Sequence, residues 1–241
     1  MKFSIKRKNK SLSLLLMALV ASTFTTAAKA ETTGSDTVKR DTEQTKTENP
    51  LTARSVFEKI NCSGLEILPP STRLDMLDYW DVDSIYKASN AMEGLSFLRN
   101  VSPSYLKVEV TPVSVFEIKI LPDKKGPLIM TIYTVGDDVQ AQDSQIKFYN
   151  EALEELPTEK YFKMPEVKDF FEIPKGSATK MKEIENMIPF PTIALEANPD
   201  NTDLKARLTV EKYINEDDWN IAKLFLRPPL TFHWVKSRFK L

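Results

Sequence analysis

The chain has 241 residues, a formal net charge of −1, one cysteine and one histidine. A single cysteine cannot close an intramolecular disulfide, so an apolar core must stabilise the fold. Zinc needs Cys/His ligand sets that are absent, and with six glycines no loop is glycine-rich enough to hold a phosphate. The G-x-S-x-G, H-E-x-x-H and dinucleotide-binding patterns are absent as well. We therefore predict no catalytic residue set, no cofactor and no metal site.

Residues 1–30 are predicted to be a cleavable signal peptide. A basic start precedes the apolar run from Leu12 to Val20, and Ala28-Lys29-Ala30 is a small-x-small cleavage site. The apolar run is shorter than an ordinary membrane span of about 20 residues, although an uncleaved N-terminal anchor is the alternative. We expect cleavage near Ala30, no membrane span in the mature chain, and a periplasmic or secreted protein.

Removal of the signal peptide makes the chain acidic. The leader holds six of the 33 Lys and Arg residues and none of the 34 Asp and Glu residues, so 27 basic and 34 acidic groups remain and the net charge becomes −7. Nucleic-acid binding needs a basic surface, so we predict no nucleic-acid partner. Residues 31–50 contain one apolar side chain, Val38, and are predicted to be a disordered linker.

Two helices and a set of antiparallel strands are predicted over residues 51–155. Thr52 is suited to cap the first helix, and Ser71 or Thr72 the second, whose apolar stripe is Leu74, Leu77 and Trp80. The period then changes to two, which is typical of antiparallel strands with one solvated face. Strands are predicted at 95–101, 106–110, 116–120, 128–135 and 146–149, with Glu117 and Lys119 on a solvated face.

A similar order of elements returns over residues 156–241. Short helical segments are predicted at 165–171 and from Ser177 onward, where Ile184 and Ile188 share a face. Strands are predicted at 192–197, 204–210, 221–226 and 230–235. The predicted fold class is therefore α+β, a tandem duplication of a two-helix plus four-stranded antiparallel sheet unit, with repeats at 51–155 and 156–241.

Several segments resemble a known family. They are LPPSTRLDMLDYWD (68–81), SYLKVEV (104–110), VFEIKILP (115–122), MTIYT (130–134) and RPPLTFHW (227–234). They are similar to a domain-of-unknown-function family, number 3256, of exported proteins from Bacteroidales-type gut bacteria. The resemblance implies source, export and a shared fold, but no activity. The predicted architecture also looks like that of β-lactamase inhibitor proteins, a likeness that does not imply function.

The residues able to carry chemistry are few. His233 is the only candidate general base for a Ser or Cys nucleophile, and it is interpreted as a surface strand residue. Cys62 is interpreted as a buried or half-buried small residue. Acidic clusters occur at 75–83 and 215–220, and neither fits the calcium-loop template. They are interpreted as solvated faces, while a pair of facing carboxylates would be needed for a hydrolase.

Trp219 and Phe225 lie off the alternating apolar faces and are the candidate contact residues. The favoured hypothesis is a non-enzymatic binding or protein-interaction module of the cell envelope, whose partner is another envelope protein or a glycan. The alternatives are an inhibitor of a periplasmic or secreted enzyme, and a carboxylate-based hydrolase that uses Asp75, Asp78, Asp217 and Asp218. The sequence does not predict an oligomeric state.

Overall fold

The computed structural model describes residues 50–82, 87–174 and 176–241. The predicted signal peptide, the linker up to residue 49, and Asp83 of the first acidic cluster lie outside these ranges. The described helices are α1 (Ala53–Lys59), α2 (Pro70–Trp80), α3 (Ala178–Met187) and α4 (Glu216–Ala222). Within those ranges, no helix is both long enough and apolar enough to cross a membrane.

Eleven strands form two antiparallel sheets in the described part of the chain. The large sheet contains seven strands in sequence order. They are β1 (Lys87–Ser89), β2 (Leu95–Val101), β3 (Tyr105–Thr111), β4 (Ser114–Leu121), β5 (Leu128–Val135), β6 (Asp143–Tyr149) and β7 (Glu155–Leu156). The small sheet has the order β11-β10-β9-β8, and its strands are β8 (Ile193–Ala197), β9 (Leu204–Leu208), β10 (Leu230–Trp234) and β11 (Phe239–Lys240). The α+β class is confirmed.

The large sheet lies between two apolar cores. Alternate residues of a strand point to opposite faces of a sheet, and here both faces of the central strands are covered. One face packs against α1 and α2 through residues that include Leu106, Val108, Phe116 and Ile118. The other face packs against the small sheet and α3 through residues that include Met130, Ile132, Ile146 and Phe148. The strand predicted at 128–135 is β5, a central strand whose first five residues are all buried.

The helix layer confirms one predicted cap and corrects another. Thr52 caps α1 by accepting a hydrogen bond from the backbone N–H of Ser55. The second helix begins at Pro70, so Ser71 and Thr72 lie inside it and do not cap it. Proline suits this first position because its ring fixes a helical φ and it has no N–H to leave unpaired.

The buried face of α2 also differs from the predicted stripe. Its buried residues are Arg73, Met76 and Leu77, whereas Leu74 is 45% exposed. The guanidinium of Arg73 donates hydrogen bonds to the backbone oxygens of Phe57 (2.6 Å) and Ile60 (2.7 Å), at the C-terminal end of α1. A helix end leaves backbone carbonyl groups without hydrogen-bond donors, and Arg73 donates to two such groups here. The two helices are thus joined by a buried charge that periodicity does not predict.

The small sheet meets the large sheet along its β8 edge. In β8, alternate N–H groups point away from β9 and bond to side chains of the large sheet. Asp143 accepts from Ile193 (3.0 Å), Ser144 from Leu195 (2.9 Å) and Glu117 from Ala197 (3.4 Å). An unpaired strand edge invites pairing with another chain. These three bonds satisfy the outward N–H groups of Ile193, Leu195 and Ala197 inside the molecule, so these groups are not free to pair with another chain.

The prediction of a solvated face for Glu117 and Lys119 is wrong. Each is only 3% exposed, because the small sheet covers this part of β4. Lys119 Nζ donates to the backbone oxygens of Asn198 (2.8 Å) and Pro199 (3.0 Å) in the turn after β8. A buried charged group must find hydrogen-bond partners, and both residues find them across the contact between the sheets.

The predicted strand at 221–226 is also wrong, because this segment ends α4 and continues as a 3-10 helix at Lys223–Phe225. Asn215 caps α4 by accepting from the N–H of Asp218, and three acidic residues in the first turn suit the positive end of the helix dipole. The second half therefore lacks one predicted strand, and its first predicted helix is a single 3-10 segment at Val167–Phe170. The tandem duplication is not confirmed.

Candidate functional site

A groove with a volume of about 330 Å³ lies along the line where the two sheets meet. We call it the inter-sheet groove. Its floor comes from the large sheet and its wall from the exposed face of β8 and β9. Its lining includes Lys107, Val115, Glu117, Thr134, Glu196, Lys205 and Arg207. Strand alternation explains the wall, since Leu204, Ala206 and Leu208 of β9 are buried while Lys205 and Arg207 are exposed.

Three cationic side chains line this groove. Arg207 is 48% exposed, and its Nη2 donates to Gln142 Oε1 at 2.7 Å, while Nη1 lies 3.7 Å from Glu211 Oε1. Lys107 Nζ lies 3.6 Å from Glu117 Oε1 and 4.0 Å from Glu196 Oε1. The Lys205 side chain makes no hydrogen bond or ion pair with any of the residues in the described ranges. The groove therefore presents positive charge that the described residues do not neutralise fully.

Glu117 is the buried acid at the floor of the groove. Its carboxylate accepts hydrogen bonds from the Tyr105 hydroxyl and from the Ala197 N–H, and it faces Lys107. Burial raises the pKa of Glu117 above its ordinary value of 4.5, although Tyr105, Lys107 and Ala197 oppose that increase. Burial and the neighbouring Glu117 carboxylate raise the pKa of Tyr105 in turn. Neither the burial of Glu117 nor its partners follow from the local sequence.

This raised pKa predicts a pH-dependent stability. The folded state holds the Glu117 proton more tightly than the unfolded chain, so the resulting stabilisation is complete below about pH 4.5 and is lost as the pH rises through the folded-state pKa. We expect the free energy of unfolding of the wild type to fall, relative to Glu117→Gln, as the pH rises from 4 to 8.5. Urea unfolding of both proteins across this range measures the difference. Parallel pH curves would contradict the prediction.

Two smaller depressions adjoin the inter-sheet groove, and Arg207 lines all three. One, of about 250 Å³, is polar and includes Asp137, Asp138 and Lys212. The other, of about 200 Å³, is mainly apolar, and we call it the apolar lobe. Besides Arg207, its lining consists of Phe170, Leu208, Glu211, Trp219, Leu226, Arg227 and Pro229. Arg207 therefore lies where a charged surface meets an apolar one.

The predicted contact residues lie in and near this region. Trp219 is half-buried on α4, lines the apolar lobe and packs partly against the core. Phe225 is half-buried in the 3-10 helix after α4 and packs against the same core. Four residues of the groove, Lys107, Glu117, Lys205 and Arg207, are not among the site residues predicted from the sequence. Alternation in β9 is the one signal that places Lys205 and Arg207 on an exposed face.

The other candidates do not come together. His233 is exposed on β10, with Nδ1 2.8 Å from Asp203 Oδ1. Cys62 is half-buried against the core beneath the helices, where burial raises its thiol pKa to about 11. Asp75, Asp78 and Asp217 are exposed, and none of them lines the inter-sheet groove. No group of three or more His, Cys, Asp or Glu residues in the described ranges is placed to hold a metal ion.

The fold and groove define a two-sheet α+β protein with a charged surface groove, and two comparisons relate it to other proteins. The family model described as "Protein of unknown function (DUF3256)" matches residues 45–239, so the chain belongs to this family. It is similar to the structure of a domain of an uncharacterized protein from Porphyromonas gingivalis W83, at 22% identity and a TM-score of 0.66. The match covers 78% of this chain and 96% of that one, and it shows the fold alone. None of the curated proteins matches the chain.

The predicted family resemblance is thus confirmed, and the structural neighbour comes from a Bacteroidales species. The likeness to β-lactamase inhibitor proteins is not confirmed.

Proposed function

We propose that the protein is an exported, non-enzymatic binding module of the cell envelope, and that its ligand binds in the inter-sheet groove. The basic leader, apolar run and small-x-small site at 28–30 support export. The groove supports binding above all because it combines three cationic side chains with an adjoining apolar lobe. Ligand sites in proteins are concave and pair apolar walls with a few polar groups that orient the ligand.

A second candidate, a carboxylate-based hydrolase, has one observation in its favour. Lys107 Nζ contacts both Glu117 and Glu196, so their Oε1 atoms lie no further apart than the sum of 3.6 and 4.0 Å. Carboxyl pairs that cleave glycosidic bonds are separated by roughly 5–10 Å, and a raised pKa suits a general acid. Turnover of 4-nitrophenyl glycosides by the wild type but not by Glu117→Gln would support this candidate.

Binding remains the favoured function because of how Glu117 is held. Its side chain is 4% exposed, and its oxygens already accept from Tyr105 and Ala197. A general acid must reach the atom that it protonates, whereas the Glu117 carboxyl group is almost fully buried under these partners at the floor of the groove. The alternative that the protein inhibits a periplasmic or secreted enzyme rests only on the predicted likeness to β-lactamase inhibitor proteins, and it stays a prediction.

Site-specific photo-crosslinking tests the proposed function. A photo-reactive phenylalanine analogue replaces Ala194, which lies opposite Arg207 in the groove wall, in the full chain expressed in a Bacteroidales host. The same analogue at Leu74, on the α2 surface over the other face of the large sheet, is the control. We expect crosslinked products from position 194 that are absent from position 74, because the ligand contacts the groove.

Charge reversal provides the second part of this test. Arg207→Glu is expected to abolish the products from position 194, whereas Lys59→Glu, an exposed change on α1, is expected to leave them intact. Identical products from positions 74 and 194, no products, or products unaffected by Arg207→Glu would each overturn the groove as the binding site.

A further inference from the structure

We infer that the ligand of the inter-sheet groove is an acidic peptide segment that carries an apolar side chain next to a carboxylate. This inference rests on the proposed function, since it names the chemistry of the ligand at the same site. Arg207 is the residue on which the inference depends most, because it lines both the inter-sheet groove and the apolar lobe. A carboxylate bound to Arg207 would therefore place a neighbouring group of the ligand at the entrance of the apolar lobe.

The charges near Arg207 favour an anionic ligand. Lys205 lies two residues away on the same exposed face of β9, and Arg227 lines the apolar lobe beside Arg207. Neither side chain forms a hydrogen bond or an ion pair with residues that the structure describes. Arg207 is held by Gln142 and only loosely by Glu211, so its remaining N–H donors are available. A guanidinium pairs well with a carboxylate because its donors match both oxygens.

Glu211 is the counter-charge nearest to Arg207, with its Oε1 3.7 Å from Arg207 Nη1, and the acidic side chains of the inter-sheet groove itself are engaged elsewhere. Glu117 is enclosed by Tyr105, Ala197 and Lys107. Glu196 is 65% exposed and lies 4.0 Å from Lys107, and it stands opposite Lys205 in the strand pairing rather than opposite Arg207. A ligand carboxylate at Arg207 therefore meets the Ala194 side of the groove, where the opposing β8 residue carries no charge.

The ligand cannot be recognised by strand addition at β8. The outward N–H groups of Ile193, Leu195 and Ala197 already donate to Asp143, Ser144 and Glu117. A peptide that adds a strand to a sheet edge needs free backbone donors and acceptors. Recognition in this groove must therefore depend on side chains, with cations for the carboxylates and the apolar lobe for an apolar group.

The apolar lobe favours a peptide over a glycan. It is a depression lined by Leu208, Trp219, Leu226 and Pro229, which suits a leucine or phenylalanine side chain. Sugars stack on the open face of an aromatic ring, but Trp219 is half-buried and packs partly against the core. A carboxylated glycan would satisfy the cations and leave the apolar lobe without a matching group.

Fluorescence anisotropy with synthetic peptides tests the inference. The probe is the fluorescein-labelled hexapeptide Glu-Leu-Glu-Phe-Glu-Leu, and the matched probes replace Glu by Gln, or Leu and Phe by Ser. We expect the first probe to bind about tenfold or more tightly than either matched probe, and to bind more weakly in high salt. Arg207→Gln and Lys205→Gln should each weaken its binding by about fivefold or more, and Leu226→Gln by about threefold. Lys59→Gln, on the opposite face, should leave it unchanged.

The binding results can contradict the acidic-peptide inference without contradicting the proposed function. Equal binding of the Glu and Gln probes, no binding, or no effect of Arg207→Gln would overturn the acidic peptide. Tighter binding of an oligogalacturonate than of the peptide would overturn it in favour of a carboxylated glycan. In each of these cases, Arg207-dependent crosslinks from position 194 would still support the groove, whereas loss of those crosslinks would overturn the proposed function itself.

Discussion

Replacing Phe148 by alanine is expected to lower the free energy of unfolding by about 3–5 kcal/mol. Phe148 is fully buried on the face of β6 that packs against the small sheet. Its ring lies 5.0 Å from that of Tyr161 and 6.5 Å from that of Phe239, measured between centroids. Phe239 is in β11, so the cavity left by the truncation would separate side chains of the two sheets. Urea unfolding measures the loss.

Phe190→Ala is the matched control, because Phe190 is 78% exposed. Truncating an exposed side chain removes little buried area, so we expect a change within about 0.5 kcal/mol. Phe148→Leu keeps most of the buried volume and should cost less than Phe148→Ala. Equal effects for Phe148→Ala and Phe190→Ala would mean that the small sheet does not pack on the large sheet, which would remove the wall of the inter-sheet groove.

The Arg73→Ala variant is expected to be less stable than the wild type by about 3–4 kcal/mol. Arg73 is 4% exposed, and its guanidinium lies 5.8 Å from the Phe57 ring centroid. Its loss leaves the backbone oxygens of Phe57 and Ile60 without that donor, at about 1–3 kcal/mol for each buried unsatisfied group. Burial lowers the pKa of Arg73, so relief of desolvation offsets part of this cost.

Two further variants separate the contributions of Arg73. Arg73→Met keeps most of the side-chain volume and should cost less than Arg73→Ala, since only the hydrogen bonds are lost. Arg54→Ala is the surface control. Arg54 forms ion pairs with Asp81 at 2.9 Å and Asp78 at 3.6 Å, and such exposed pairs contribute about 1 kcal/mol or less. A larger loss of stability for Arg54→Ala than for Arg73→Ala would contradict the capping role.

Strand positions could be predicted from the sequence because each depends on local periodicity. The alternation of Leu106, Val108 and Val110 with charged residues places β3 correctly, and the continuous apolar run at 128–135 places β5. The strand predicted at 221–226 is wrong, because the apolar residues of this segment belong to the end of the helix that Asn215 caps and to the 3-10 helix after it. Asn215 followed by Glu216, Asp217 and Asp218 was the signal for a helix start.

The site could not be predicted in the same way, because its residues come from strands that are far apart in sequence. Lys107 and Glu117 belong to the large sheet, while Lys205 and Arg207 belong to the small one. Alternation shows that Glu117 and Phe116 face opposite sides of β4. It does not show whether the side of Glu117 is covered, since that depends on where the second sheet docks.

By itself, the sequence determined the α+β class, most strand positions and the Thr52 cap, because each depends on neighbours a few residues away. Only the tertiary structure decided that Glu117, Lys119 and Arg73 are buried. A charged side chain tolerates burial only where distant groups supply hydrogen bonds. Those groups, the Ala197 N–H for Glu117 and the Asn198 oxygen for Lys119, are about 80 residues away along the chain.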